Sequence, residues 1–234
     1  MINGAIFDMD GVLIDSMPIW HNAGALFLEA NGKKPRSDLQ KILFDKSMMA
    51  GAEYMRDAYD LPMTMEEVMQ GVIDVVYKHY KESIPAKANV ENFLRKLKEK
   101  DIAIALATSS DRKLLEAGLS RLHLLSYFDT TVTCLEAGVG KIEPDVYLEA
   151  MKRIGTTLEN TWVFEDAYHA LHTAKKAGFH TVALYDASND EHQELLKKEA
   201  DIYLKDLTDF DTFYQFRKRF ALRSKARSNP PPKR

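Results

Sequence analysis

Gly4-Ala-Ile-Phe-Asp8-Met-Asp10-Gly-Val-Leu-Ile-Asp-Ser16 opens with a short apolar run that stops on an acid. A run this short, with no polar alternation, suits a strand buried on both faces. Similar runs recur at Ile102-Ala-Ile-Ala-Leu-Ala-Thr108, Thr130-Thr-Val-Thr-Cys134, Thr161-Trp-Val-Phe-Glu165 and Thr181-Val-Ala-Leu-Tyr185, with Asp201-Ile-Tyr-Leu204 a weaker sixth. Between them Asp111–Ser120, Pro144–Gly155, Ala167–Ala177 and Asn189–Ala200 are spaced like helices. Pro144 suits a helix start, while Gly155 and Gly178 suit stops. Strand and helix in alternation predict an α/β fold with a doubly wound parallel sheet.

One interval breaks the alternation. About ninety residues separate the first run from the second, and most of them have helical spacing. Met17–Asn31, Leu39–Asp60 and Thr64–Ser83 are the helical stretches, and Thr64-Met-Glu-Glu67 is a capping box ahead of an apolar pattern. Pro85 and the helical Val90–Lys100 lead back to the sheet. These features predict a small all-helical domain, residues 16–86, inserted after the first strand of a core made of 1–15 and 87–216. Residues 217–234 form a basic tail, read as disordered towards Pro230-Pro-Pro232.

Composition narrows the class. The 234 residues are 45% hydrophobic and 29% charged, enough for one large domain or a domain with an insert. The net charge of −3 argues against a nucleic-acid-binding surface. Residues 217–234 hold eight Lys or Arg and no acid, so the rest of the chain carries −11. The single cysteine, Cys134, rules out an intrachain disulfide and fits a reducing compartment. The opening MINGAIFDMD has no basic segment and does not read as a signal peptide. No apolar run nears the ~18 residues of a membrane span. A cytoplasmic protein with neither nucleic-acid nor membrane partners is expected.

Open α/β sheets bind ligands at the carboxyl ends of their strands. Asp8 ends the first run, Thr108 the second and Glu165-Asp166 the fourth, with Lys141 in the loop after the third. Carboxylates this close repel unless a cation joins them, and an oxygen-seeking ion such as Mg2+ fits that place. With Mg2+ and Lys141 positive, Asp8, Glu165 and Asp166 negative and Asp10 protonated, the rim sums to zero, which suits an incoming phosphate. Gly138-Val-Gly140-Lys141 is not a nucleotide loop, since Ile142 stands where a metal-binding Ser or Thr belongs. His169 and His172 are read as packing or solvent-facing, Cys134 as a small buried hydrophobe, and the methionines of 48–69 as cap core.

The quoted stretch 8–16 resembles the first motif of the haloacid dehalogenase-like superfamily, in its phosphatase and phosphomutase branch. Ala107-Thr108-Ser109-Ser110 resembles the second motif, Gly140-Lys141-Ile-Glu-Pro144-Asp the third and Phe164-Glu165-Asp166 the fourth. The helical insert is similar to the cap of the group containing β-phosphoglucomutase and phosphoglycolate phosphatase. The resemblance implies a Rossmann-like core and a role for each motif residue. Asp8 attacks phosphorus and forms an aspartyl-phosphate, and Asp10 serves as general acid and then base. Mg2+ is held by the Asp8 carboxylate, the Asp10 backbone carbonyl and Asp166, with Glu165 bound directly or one step out. Thr108 and the Ser109 backbone donate to phosphoryl oxygens, and Lys141 neutralises developing charge.

The sequence departs from the family pattern in the fourth motif and in the cap. The fourth motif usually continues with a small polar residue and later a glycine, whereas Ala167 and Ala170 stand here. Trp20 occupies the place of the mutase's cap-side histidine, and the neighbouring His21 is turned from it by about 100° on a helix. The cap stretch Phe44-Asp-Lys-Ser-Met48 offers Lys46 but no arginine fork for a second phosphate. A Mg2+-dependent phosphatase of a small phosphorylated metabolite is therefore expected, ahead of a sugar phosphomutase and a non-catalytic phosphate-ligand sensor. Trp20, His21, Lys46 and Ser47 are placed at the face where cap meets core.

Overall fold

A computed structural model describes residues 2–44 and 46–215; the basic tail lies outside them. Strands β1 (Gly4–Phe7), β2 (Ala103–Thr108), β3 (Thr130–Thr133), β4 (Thr161–Glu165), β5 (His180–Leu184) and β6 (Ile202–Leu204) form one parallel sheet. The sheet is parallel, as expected, and its strand order is β3-β2-β1-β4-β5-β6. Successive side chains enter opposite layers. Phe7, Leu106 and Phe164 join one buried cluster, while Ile6, Ala105 and Val163 join another. Because both faces are covered, the strands read as unbroken apolar runs.

Between β1 and β2 the chain runs through α1 (Met17–Ala30), α2 (Leu39–Phe44), α3 (Met48–Ala58), α4 (Met65–Glu82) and α5 (Val90–Lys98). The Thr64 hydroxyl accepts from the Glu67 N–H and the Glu67 carboxylate from the Thr64 N–H, which starts α4 as its capping box predicted. Val68, Val72, Val76 and Tyr80 recur every four residues and form its buried face. Gly71 lets α4 meet α1 closely, since a Cβ there would stand 2.4 Å from the Phe27 ring. The stretch read as helical over 39–60 is two helices. Ser47 has extended backbone and accepts from the Ala50 N–H, so it caps a new helix.

After β2 come α6 (Arg112–Arg121), α7 (Cys134–Ala137), α8 (Asp145–Arg153), α9 (Tyr168–Lys176) and α10 (Gln193–Glu199). Cys134, expected to end a strand, instead opens α7, because Thr133 and Glu136 form a capping box around it. The expected helix over 189–200 likewise starts late. A 3-10 turn spans Ala187–His192, and α10 begins at Gln193. Helices α5 and α6 pack on the Phe7 side of the sheet, and α8 packs on the Ile6 side. Among the described residues no helix is long and apolar enough to cross a membrane.

The register brings the functional strand ends together. Phe7 is level with Leu106 on one side and Phe164 on the other. Asp8 thus leaves β1 beside Glu165, and its N–H donates to the Phe164 carbonyl at 3.0 Å. The chain order reverses between β1 and β4, where open α/β sheets form a crevice.

Phe93 touches Phe7, Phe164, Phe210 and Phe213 with ring centroids 6.2, 5.7, 5.0 and 5.5 Å away. Phe93→Ala should lower unfolding free energy by about 3–5 kcal/mol, the cost of an aromatic cavity. Thr64→Ala should cost about 1 kcal/mol through its cap alone. Urea denaturation of both variants checks the order and the gap.

Candidate active site

Asp8, Glu165 and Asp166 converge at the β1–β4 crevice, with Lys141 arriving from the loop before α8. All four are buried. Lys141 Nζ lies 2.6 Å from both Asp8 Oδ1 and Glu165 Oε1. The ammonium hydrogen-bonds to Glu165 and pairs with Asp8. The Tyr147 hydroxyl of α8 also donates to Glu165 Oε1, at 2.7 Å. Asn189 Nδ2 donates to Asp166 Oδ2 at 2.8 Å.

One ammonium against three carboxylates leaves an excess of negative charge out of water. Burial pushes Asp8 up to about 8; Lys141 counters this, while Glu165 and Asp10 reinforce it. Burial, then Glu165 and Asp8, hold Asp166 well above the usual carboxylate range. Burial alone would lower Lys141, but Asp8 and Glu165 more than offset it and hold the ammonium charged. Such a cluster is costly when metal-free, since desolvated like charges repel strongly.

A hard divalent cation fits this cluster. The ligand oxygens of Asp8, Glu165 and Asp166 all lie within 4.8 Å of one another. Glu165 Oε2 is buried with no hydrogen-bond donor among the described residues. An all-oxygen set with excess negative charge matches Mg2+ rather than a softer metal. Gly11 is required for this packing. Its φ of +77° lies in the left-handed region, and a Cβ would stand 2.4 Å from Asp166 Oδ2.

Asp10 is held by hydroxyls. Ser16 Oγ donates to Oδ1 at 2.5 Å, the Tyr80 phenol donates to the same oxygen, and Ser110 Oγ donates to Oδ2 at 2.7 Å. Ser16 stands at the N-cap of α1 yet makes no cap with its side chain. Burial, and then Asp10, hold the Tyr80 phenol far above its ordinary value, so it remains a donor.

The other expected residues fall into two groups. Thr108 is fully buried, and its hydroxyl oxygen accepts from the Ser110 N–H at 3.0 Å, leaving its own proton available. Ser109 is exposed, with its hydroxyl 3.5 Å from Cys134 Sγ. Trp20 donates its indole N–H to Tyr80, while His21 lines a neighbouring cavity of about 620 Å3. That cavity lies beside Gly11, between His21 and Gln40 on one side and Lys87, Asp186 and Ser188 on the other. It adjoins the carboxylates without containing them. Lys46 is exposed near the Tyr54 ring, and Ser47 is a helix cap. His172 pairs with Glu199 at 2.5 Å, outside any metal cluster found among the described residues. Ser16, Tyr80, Ser110, Tyr147 and Asn189 were not singled out in the sequence as site residues.

Residues 5–184 match the haloacid dehalogenase-like hydrolase family. A phosphorylated carbohydrates phosphatase of Thermotoga maritima is 30% identical over 181 residues, 77% of this chain and 84% of that protein. Hexitol phosphatase B of Escherichia coli K12 is 27% identical over 215 residues, covering 89% of this chain and 94% of its own. A solved Thermotoga maritima protein, provisionally described as a β-phosphoglucomutase, superposes with a TM-score of 0.81 at 27% identity. The superposition covers 92% of this chain and 99% of the other.

Mg2+ should raise the melting temperature by relieving the carboxylate cluster. Linkage gives about 2.7 kcal/mol at 100 times the dissociation constant. Asp166→Ala should abolish the shift and, without metal, should unfold no earlier than the wild type. An equal Mg2+ shift in both proteins, read by thermal unfolding, would place the ion elsewhere.

Proposed function

The chain belongs to the haloacid dehalogenase-like hydrolase family and is a phosphoric monoester hydrolase; from that premise we propose the chemistry, metal and substrate class of its site. It is a Mg2+-dependent phosphatase of a small phosphorylated carbohydrate or polyol, working through an aspartyl-phosphate. The observation that carries this reading is the buried Asp8–Lys141–Glu165–Asp166 cluster, beside an Asp10 carboxylate gripped at both oxygens. The names of the phosphatase relatives support the substrate class.

In the first step Asp8 attacks phosphorus and the bond to the leaving alkoxide breaks, while Asp10 donates the proton that makes it an alcohol. In the second, Asp10 takes a proton from water as its oxygen attacks the aspartyl-phosphate, which restores Asp8 and releases phosphate. Lys141, held charged between Asp8 and Glu165, neutralises the negative charge that spreads over the phosphoryl oxygens. Thr108, whose hydroxyl proton is uncommitted, and the Ser109 backbone donate to those oxygens. Asp8, the Asp10 carbonyl and Asp166, with Glu165 beside them, would hold Mg2+, whose charge would let a phosphate dianion approach. Residues 16–86 act as the cap on a core of 1–15 and 87–216, and opening of that cap admits substrate to carboxylates shut from solvent.

A screen of phosphate release over hexose, hexitol and pentose phosphates, with and without Mg2+, tests the reading. Rapid conversion of β-glucose 1-phosphate to glucose 6-phosphate without free phosphate would replace hydrolysis with the mutase reaction. Asp8→Asn should fold normally and lose all turnover, because an amide does not attack phosphorus. A wild-type rate from the folded variant would reject the covalent route.

Asp10→Asn should depend on the leaving group. The specificity constant kcat/KM reports only steps up to departure of the alcohol, so it isolates the proton donation. An alkyl phosphate should lose about 10²–10⁴ in kcat/KM, the worth of a general acid. p-Nitrophenyl phosphate, whose leaving group needs no proton, should lose far less. Equal losses would remove Asp10 from the acid role.

A further inference from the structure

Asp166 is treated unlike the other two carboxylates of the cluster. Lys141 pairs with Asp8 and Glu165, whereas Asp166 has a neutral partner, Asn189 Nδ2, which donates to Oδ2 at 2.8 Å. Asn189 comes from the turn after β5, twenty-three residues further along the chain. Ala167, beside Asp166 in sequence, has only a methyl and brings no side-chain donor of its own.

The turn is built to hold that amide. Asp186 Oδ1 accepts from the Ser188 N–H at 2.9 Å, while Oδ2 pairs with Lys87 at 2.5 Å. The Asn189 N–H donates to the Asp186 carbonyl at 3.1 Å. The buried Gln193 side chain donates to the carbonyls of Asp186 and Asn189, at 3.2 and 3.1 Å. Asn189 itself leaves the 3-10 path, with φ −114° and ψ 25°. Both of its backbone groups are thus committed within the turn, and its side-chain N–H groups reach Asp166 and, at 3.3 Å, Ser188 Oγ.

Oδ2 is closed from a second side as well. The same oxygen faces Gly11, where a Cβ would stand 2.4 Å away. With the amide and the Gly11 turn both against Oδ2, Oδ1 is the oxygen that Asp166 can offer to a cation. A carboxylate giving both oxygens to one ion suits Ca2+, which takes about six to eight oxygens in flexible geometry. Mg2+ is smaller, demands a near-ideal octahedron and is not served by the narrow bite of a bidentate carboxylate. A neutral donor also fixes the carboxylate without competing for its charge, as an ammonium would. We propose that Asn189 is a positioning residue for Asp166: its amide ties up Oδ2, limits Asp166 to one ligating oxygen and so favours Mg2+ over Ca2+ at this site.

The inference rests on the Mg2+ site proposed above, and its test reads ion binding rather than turnover. Calorimetric titration of the metal-free protein with Mg2+ and, separately, with Ca2+ gives the ratio of the two dissociation constants. It is taken for wild type, Asn189→Ala, Asn189→Leu and Asp166→Ala; the leucine keeps the bulk of the asparagine without its donor. Asn189 is half-buried, so neither of its variants opens a cavity in the core. Mg2+ affinity should fall on the order of tenfold in both Asn189 variants, the worth of a hydrogen-bond partner behind a metal ligand. Ca2+ affinity should fall less, so the preference for Mg2+ shrinks in both. Equal losses for the two ions show a turn that merely supports the site and overturn the proposal, as do unchanged affinities. A preference that shrinks in only one Asn189 variant belongs to packing and overturns it too. No Mg2+ binding by the wild type, or undiminished binding by Asp166→Ala, rejects the metal site beneath the proposal as well.

Discussion

Three carboxylates share one buried lysine at the point where the strand order reverses, and the surrounding structure answers that imbalance. Left in water, Asp8, Glu165 and Asp166 would cost nothing to hold. Buried, they repel each other, and Asp8 and Asp166 are pushed far from their ordinary ionisation. The parallel register forces the encounter, because Asp8 and Glu165 leave neighbouring strands at the same level. Lys141 compensates part of the charge, while Tyr147 and Asn189 satisfy individual oxygens. A divalent cation would supply the remainder, so the energetic defect of the metal-free cluster is also its binding capacity.

The packing around the cluster keeps it in this state. Gly11 permits the chain to turn against Asp166, where any side chain would collide with the carboxylate. Lys87 backs that turn by donating to the Gly11 carbonyl at 2.8 Å while paired with Asp186 at 2.5 Å. Behind the strands, Phe7, Phe93 and Phe164 form an aromatic block that fixes the height of β1 relative to β4. Dense packing of this kind converts a one-residue register error into loss of the site, because a strand's side chains alternate faces.

Asp10 is handled differently from Asp8. It is surrounded by neutral hydroxyls rather than an ammonium, so its carboxylate is oriented without being locked in an ion pair. In the proposed chemistry Asp10 gives and then takes a proton, and donors weak enough to exchange suit that task. Two of those donors, Ser16 at the N-cap of α1 and Tyr80 of α4, lie between β1 and β2. The same region buries its apolar faces in one continuous cluster with the Phe7 side of the sheet.

Local pattern alone was enough to read the six strands, the helical excursion after β1, the Thr64 capping box and the acids, threonine and lysine at the strand ends. Each is written in a few adjacent residues whose spacing or chemistry is diagnostic. The break between α2 and α3 was missed because an apolar pattern ran across it and only Ser47 marks the new start. Strand order, register and the partners of each acid came from the tertiary structure. Tyr80 and Asp10 are seventy residues apart, Ser110 and Asp10 one hundred, and Asn189 and Asp166 twenty-three. A lone hydroxyl or amide carries no periodicity, so nothing near it in the chain announces which carboxylate it will meet. Folding decides that, when the carboxyl ends of the strands and a helix face bring distant donors to these acids.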